Sequence, residues 1–422
     1  MCHSVYYGSQ ITRSQFGSNN LARAVGRLPA LKTVTLDYNT IGNNNIDIKL
    51  LINKNITSLV IMDLSGNSLT SLGQGTFQNY QMLQTLKITG NQIDEIENGT
   101  FKPLKQLQLL KLSYNQFTGD TDGLIKNLRF LSEINFDNNN ITVLGKNELS
   151  NLTNVVIISL ANNAIKSLVK CSFCHLPNLT EISLQNNIIS DIAEDAFYNL
   201  PNLSKLKLSK NNIAIKNQPF EALQSLKELY LDLNSVGNFS NKGLSPFRNL
   251  KKLEVLDLSG NNIQFLEKRL FWGLRNLKYL FLADNFIFDI LPDTFQSMDA
   301  LIHLRLEQNL IEKITGNQIR GLTNLQHLNL ASNPAKMIEL DGLNGLNNLE
   351  TLDLRGIYLD RLDKLKISQI PNLKKLNMYR NKIKIVEYTP GLISTNITIV
   401  DLSFNSISVV KGFNLLNSVR TL

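Results

Sequence analysis

Cys171-Ser172-Phe173-Cys174-His175 is the segment of this chain whose spacing most directly encodes a chemistry, because C-x-x-C-H is the pattern for covalent haem attachment. A zinc site would need further ligands nearby in sequence, and none is there. Two cysteines this close can also form a local disulfide or stand as a pair of ordinary thiols. Hydrolysis of the Ser-His-Asp type could draw only on His3, His175, His303 or His327, and no nucleophile elbow, phosphate loop or metal pair accompanies them. His303 and His327 stand 24 residues apart, with Tyr279 another 24 before them. If they face solvent side by side, protonating one imidazole disfavours protonating the other near mildly acidic pH, which predicts a pH-sensitive patch.

The interval of 24 belongs to the whole chain. Asn67, Asn91, Asn115, Asn139, Asn163, Asn187 and Asn211 follow one another at that spacing, and after two slips the series resumes at Asn234, Asn261, Asn285, Asn309, Asn333, Asn381 and Asn405. Each sits in the frame L-x-x-L-x-L-x-x-N-x-L, as in Leu83-Leu86-Ile88-Asn91-Ile93. A fixed period of this size means one supersecondary unit stacked many times. A short strand contributes alternating inward apolar residues such as Leu256 and Leu258, after which the chain bends and returns on the outside, so successive strands must be parallel. The bend buries backbone amides and carbonyls, and an inward asparagine supplies both donor and acceptor for them. Asn39 is the first member of that ladder. Phe77, Phe101, Phe173, Phe197, Phe271 and Phe295 fill the outer half of each coil, and Leu104, Leu176, Leu200 and Leu274 close it. A helical array does not place apolar residues in this pattern. Phe173 and Leu176 hold their slots undisturbed, so the register runs straight through the cysteine motif and leaves Cys171 and Cys174 on the outer return. A local disulfide or plain thiols are therefore expected there, with haem or metal as the remote alternative. Asp257, Ser259, Asp401 and Ser403 are repeat residues, and no catalytic site is expected.

These residues resemble the extracellular "typical" class of leucine-rich repeats over roughly residues 31 to 422, most closely in Leu256-Asp257-Leu258-Ser259-Gly260-Asn261 and in Phe197-Tyr198-Asn199-Leu200-Pro201-Asn202-Leu203. The resemblance implies an α/β-type repeat solenoid: a right-handed arc with a concave parallel sheet and an irregular or short-helical convex side. It points toward Toll-type receptor ectodomains, chaoptin-like adhesion proteins and slit-like secreted ligands. It implies a non-enzymatic recognition or adhesion module, without cofactor, at the cell surface or outside the cell. The implied partner is a protein ligand, a co-receptor or a second copy of the chain, bound on the concave face.

Composition sets limits. A chain of 422 residues exceeds the usual single core, but a solenoid grows in one dimension. About 16 coils at strand spacing would extend on the order of 75 Å. The net charge of +8 is spread over the repeats and forms no stripe, which argues against nucleic acid while leaving room for a looser affinity for acidic glycans. Residues 1–30 read as an incomplete coil, ending Arg27-Leu28-Pro29-Ala30, and Val419-Arg420-Thr421-Leu422 reads as the opening of another repeat. The expectation is a fragment whose signal, caps and membrane anchor lie outside it, with Cys2 the odd cysteine. Eight N-x-S/T sequons start at Asn55, Asn98, Asn140, Asn151, Asn178, Asn202, Asn238 and Asn396, about as many as an asparagine-rich chain would carry by chance.

Recognition should use the outward strand residues, which occupy the third, fifth and seventh places of each unit and stand about 5 Å from their counterparts one repeat away. From Glu228 onward these include Tyr230, Asp232, Val255, Tyr279, Phe281, His303, Arg305, Glu307, His327, Asn329, Arg355 and Tyr379, a mixture of aromatics and arginine expected of a binding hot spot. Surplus residues around Gly42-Asn43-Asn44-Asn45 and Gly237-Asn238-Phe239-Ser240-Asn241 should bulge from the turn or outer face. Ile357 replaces a ladder asparagine and should interrupt the polar column.

Overall fold

The computed structural model describes residues 10–11, 30–39, 41–42, 57–118, 123–126, 128–144, 149, 151–239, 245–334, 337–338, 342–362, 365, 367–387 and 396–411. Cys2, His3, Asn43, Asn44, Asn45, Asn55, Ser240, Asn241, most of 1–30 and all of 412–422 lie outside the described residues. The chain divides into two compact units, Met1–Asn212 and Ile213–Leu422.

Most coils open on a three-residue strand with a buried centre and partly exposed flanks, as in Thr85–Lys87 and Val255–Asp257. Three residues suffice because alternation sends only the central side chain inward, and the strand gains its partners from the coils on either side. In the first unit, the opening strands from Gln10–Ile11 to Lys205–Lys207 pair in parallel, each with the opening strands of the coils before and after it. In the second, the parallel series runs from Glu228–Tyr230 to Ile399–Asp401. Leu86 lies opposite Leu110, one repeat on, whereas Val34 lies opposite Met62 and Leu229 opposite Leu256. The long coils therefore keep the strand register and place their surplus elsewhere.

The bend after each strand is held by the asparagines. Asn285 donates through Nδ2 to the carbonyls of Leu258 (2.9 Å), Leu282 (3.2 Å) and Ala283 (3.1 Å), while its Oδ1 accepts from the Ile263 amide at 3.2 Å. Leu258 and Ile263 belong to the preceding coil, so one side chain ties two turns together. The same set recurs at Asn115, Asn139, Asn309 and Asn333. Asn67, Asn91, Asn187, Asn211, Asn234, Asn261 and Asn381 are likewise buried, whereas Asn39, Asn163 and Asn405 are half-buried and still bonded. Ile357 has no side-chain amide to continue the column, and Asn381 Oδ1 accepts from both the Ile357 and Leu359 backbone amides, at 3.2 and 3.0 Å. The residue before each ladder position is left-handed, for example Tyr114 (φ 55°), Lys210 (φ 55°) and Leu233 (φ 54°), with glycine only at places such as Gly90 and Gly260. Non-glycine residues there carry strain of about 1 kcal/mol or more, which the surrounding hydrogen bonds hold in place.

Phenylalanines stack through the outer half of the coils: Phe77 on Phe101 (5.8 Å between centroids), Phe173 on Phe197 (5.9 Å) and Phe271 on Phe295 (6.0 Å), all buried. The expected irregular or short-helical return consists, among the described residues, of turns, short paired strands such as Ser71–Leu72 with Glu95–Ile96, the four-residue helix Gly316–Ile319 and the 3-10 turn Ile367–Gln369. No helix among the described residues is long and apolar enough to cross a membrane.

Candidate functional site

The open face of the second unit's sheet is built by register. Parallel pairing sets Tyr279 beside His303, His303 beside His327 and His327 beside Thr351. Their rings stack: Tyr279 on His303 at 4.9 Å and His303 on His327 at 4.1 Å, with interplanar angles of 17° and 19°. His327 Nδ1 shares a hydrogen bond with Thr351 Oγ1 at 2.6 Å, so the row ends on a hydroxyl. Burial is the main cause holding both imidazoles below the ordinary histidine pKa. The His327 charge adds to it at His303; at His327, Lys375 and Lys374 add to it while Glu350 opposes. Glu350 is itself held down by its 2.7 Å contact with Lys374.

The neighbouring row runs Tyr230, Asp257, Phe281, Arg305, Asn329. The Tyr230 hydroxyl donates to Glu228 Oε2 at 2.9 Å, and burial with that acidic surround pushes its pKa up to about 12, so it stays a neutral donor. Burial raises the Asp257 carboxyl, which accepts from the Ser259 amide at 2.9 Å. The Arg305 guanidinium lies 5.8 Å from the Phe281 ring centre and donates through Nε (2.6 Å) and Nη2 to Glu307 Oε1.

Glu307 departs from the expectation of an exposed carboxylate. It is 6% exposed, and its Oε2 is buried without a hydrogen-bond partner among the described residues. The reason is local: Arg305, two places earlier on the same face, folds over one oxygen, and Ala283 and Ala331 flank it with no donor side chain. Asp232 is half-buried, and Asn329 turns back to accept from the Ala331 amide at 3.0 Å. Arg355 is exposed and bonded to Asp353, at 3.0 and 2.9 Å, while Tyr379 packs against Phe404, 73% exposed, at 4.9 Å. Thr351, Asp353 and Phe404 were missed by sequence reasoning. The 24-residue step from His327 would have found Thr351.

Cys171 and Cys174 form a disulfide with Cα atoms 4.7 Å apart, and the exposed His175 ring turns to Asn199 (3.0 Å) and Tyr198 (5.7 Å). Among the sequons, Asn98, Asn140 and Asn151 are exposed and Asn238 pairs with Gln264. Asn178, Asn202 and Asn396 donate their amides to the carbonyls of Thr153, Pro177 and Pro371, at 2.9, 2.7 and 2.8 Å. They share this outer row with Asn154, Asn276, Asn324, Asn348 and Asn372, a second coil-to-coil ladder that the sequence frame had not singled out.

The family profile described as Leucine rich repeat matches residues 57–117, 129–188, 177–236, 237–287 and 275–334. No curated protein matches the sequence. Among solved structures, the chain is similar to the TLR13–ssRNA13 complex, with 22% identity over 88% of this chain and 56% of that one at a TM-score of 0.71. The plant peptide hormone receptor RGFR1 in complex with RGF2 gives 22% identity over 95% and 62% at 0.67. The Drosophila Toll–Spatzle complex gives 18% identity over 96% and 55% at 0.67. The chain thus spans less than two thirds of each of these relatives, and at such identities the likeness shows the fold alone. Because the profile covers more than half of the chain and its asparagine frame is the one that holds the coils, this protein belongs to the leucine-rich repeat family.

Proposed function

We propose that the chain is a non-enzymatic recognition module that binds a protein ligand or co-receptor through the open sheet face of its second unit, in an extracellular or cell-surface setting. The observation that carries this is the row Tyr279-His303-His327, stacked ring on ring beside a guanidinium fixed over Phe281. Rings and arginine already held in one geometry lose little freedom on binding, and they are the residue types that dominate interface energetics. Two of the similar solved structures support the reading, one a plant peptide hormone receptor in complex with RGF2 and the other the Toll–Spatzle complex.

The test is binding of the whole chain to an array of secreted and cell-surface proteins. Tyr279→Ala combined with Arg305→Ala should weaken binding to the captured partner by roughly 30-fold or more, a hot-spot-sized loss, while Lys166→Ala on the first unit's return should leave it unchanged. Equal affinity of the face variant and the parent would overturn the assignment.

A further inference from the structure

The only tryptophan of the chain, Trp272, lies on an outer return segment and is 55% exposed. Its neighbour Phe271 is fully buried in the stack, so the same register that seals the core turns the indole outward. Beside it is a cavity of about 520 Å³ whose lining includes Arg248, Lys251, Gly273, Arg275 and Asn276. Two adjacent coils build it, for Arg248 and Trp272 stand one repeat apart, as do Lys251 and Arg275.

Gly273 keeps the cavity open. Its φ is 96°, and a Cβ there would come within 3.0 Å of the Arg248 carbonyl, so no side chain can occupy the space between the two turns at that point. Asn276 Nδ2 donates to the Lys251 carbonyl at 2.8 Å, which joins the coils on the other side. Arg248 is paired with Glu221 at 2.7 Å, but Lys251 and Arg275 have no carboxylate partner among the described residues, and the next acid along, Asp299, holds the place of Arg275 in the following coil.

We propose that this cavity binds a sulfated saccharide, with a sugar ring on the indole face and a sulfate group between Lys251 and Arg275. An aromatic plane matches the apolar C–H face of a pyranose, and two cations with no carboxylate partner among the described residues supply the anion's counter-charges. The volume falls among small-ligand cavities, which run from about 300 to 1,000 Å³. A single-stranded nucleic acid is held by successive aromatics along a basic groove, and here there is one indole. An acidic peptide would use the cations and leave the indole idle. This site is separate from the sheet face and does not depend on its assignment.

Because Trp272 is the sole tryptophan, its emission reports on this cavity alone. The experiment titrates the whole chain with a heparin-derived tetrasaccharide, its desulfated form, an oligothymidylate and an oligoglutamate, following tryptophan fluorescence and, in parallel, calorimetry. The sulfated sugar should change the emission saturably and bind at least tenfold more tightly than the other three. Lys251→Ala and Arg275→Ala, both at exposed positions, should each weaken it about tenfold, Gly273→Ala should weaken it by pushing the turn away from the Arg248 carbonyl, and Lys166→Ala should not. Trp272→Phe should lose the optical signal while calorimetry shows a several-fold drop. Equal binding of the desulfated sugar, tighter binding of the nucleic acid or peptide, unchanged emission at saturation, or parent-like affinity in the Lys251 and Arg275 variants would each overturn the proposal.

Discussion

At the bend after each strand a single amide side chain replaces the water that buried peptide groups have lost. Asn261 and Asn285 each serve three carbonyls and one amide, so truncation strands several buried groups at once, at about 1–3 kcal/mol apiece before relaxation. Asn261→Ala and Asn285→Ala should therefore each cost roughly 2–4 kcal/mol in urea unfolding, whereas exposed Asn262→Ala should stay within about 0.5 kcal/mol. Equal midpoints for the three variants would contradict the ladder. The stacked imidazoles make a second prediction. Both are held below the ordinary value of 6.5, so the unfolded chain takes up protons at a higher pH than the folded one, and stability rises with pH across that window. The contribution is complete above about pH 6.5 and is lost as pH falls through the unfolded value toward the lower folded ones. Thermal melts should drop between about pH 7.5 and about pH 5.5, and His303→Gln should flatten that dependence by removing one of the two groups. Glu307 shows where residue-level reading stops: its place in the frame said outward, and only the side chain two positions earlier decided that it would be covered.

Each coil is an element that cannot bury its own apolar half. Phe173 and Phe197 complete one another across two coils, as Phe271 and Phe295 do in the second unit. Replacing either member of a pair by alanine should cost about 3–5 kcal/mol, and the double variant should reveal a coupling of about 0.5–1.5 kcal/mol from the lost ring contact. Phe77 and Phe197, which share no coil boundary, should add within about 0.5 kcal/mol. Double-mutant cycles from denaturant midpoints measure both quantities. Coupling as strong between the distant pair as between the stacked one would contradict nearest-neighbour stacking. Strand, bend and apolar return were all legible, because inward positions repeat with one period. The left-handed residue before each asparagine was not, since tyrosine, lysine and leucine occupy it as readily as glycine and carry no composition signal.

For the molecule, stacking in one dimension removes the usual route to an active site. Interior space is filled by leucine, isoleucine and phenylalanine in both units, so chemistry or recognition must use columns of outward residues. Two such regions stand out in the second unit, the ring-and-guanidinium face of the sheet and the indole cavity on the return. They differ in what they offer: the first presents rigid apolar planes with arginine, the second one plane with Lys251 and Arg275, which have no carboxylate partner among the described residues.

The sequence by itself determined the repeat, the parallel strands, the inward asparagines and the families of outward positions, because burial alternates with a short period that any single coil displays. It placed Tyr279, His303 and His327 in one row for the same reason. Only the tertiary structure decided which outward residues remain available: that Arg305 covers Glu307, that Thr351 caps the imidazole row, that Asn178 and Asn202 spend their amides on the coil before them, and that Gly273 leaves room beside Trp272. Those outcomes depend on side chains from neighbouring coils meeting across about 5 Å, and a pattern read along one chain does not contain the rotamers that settle such meetings.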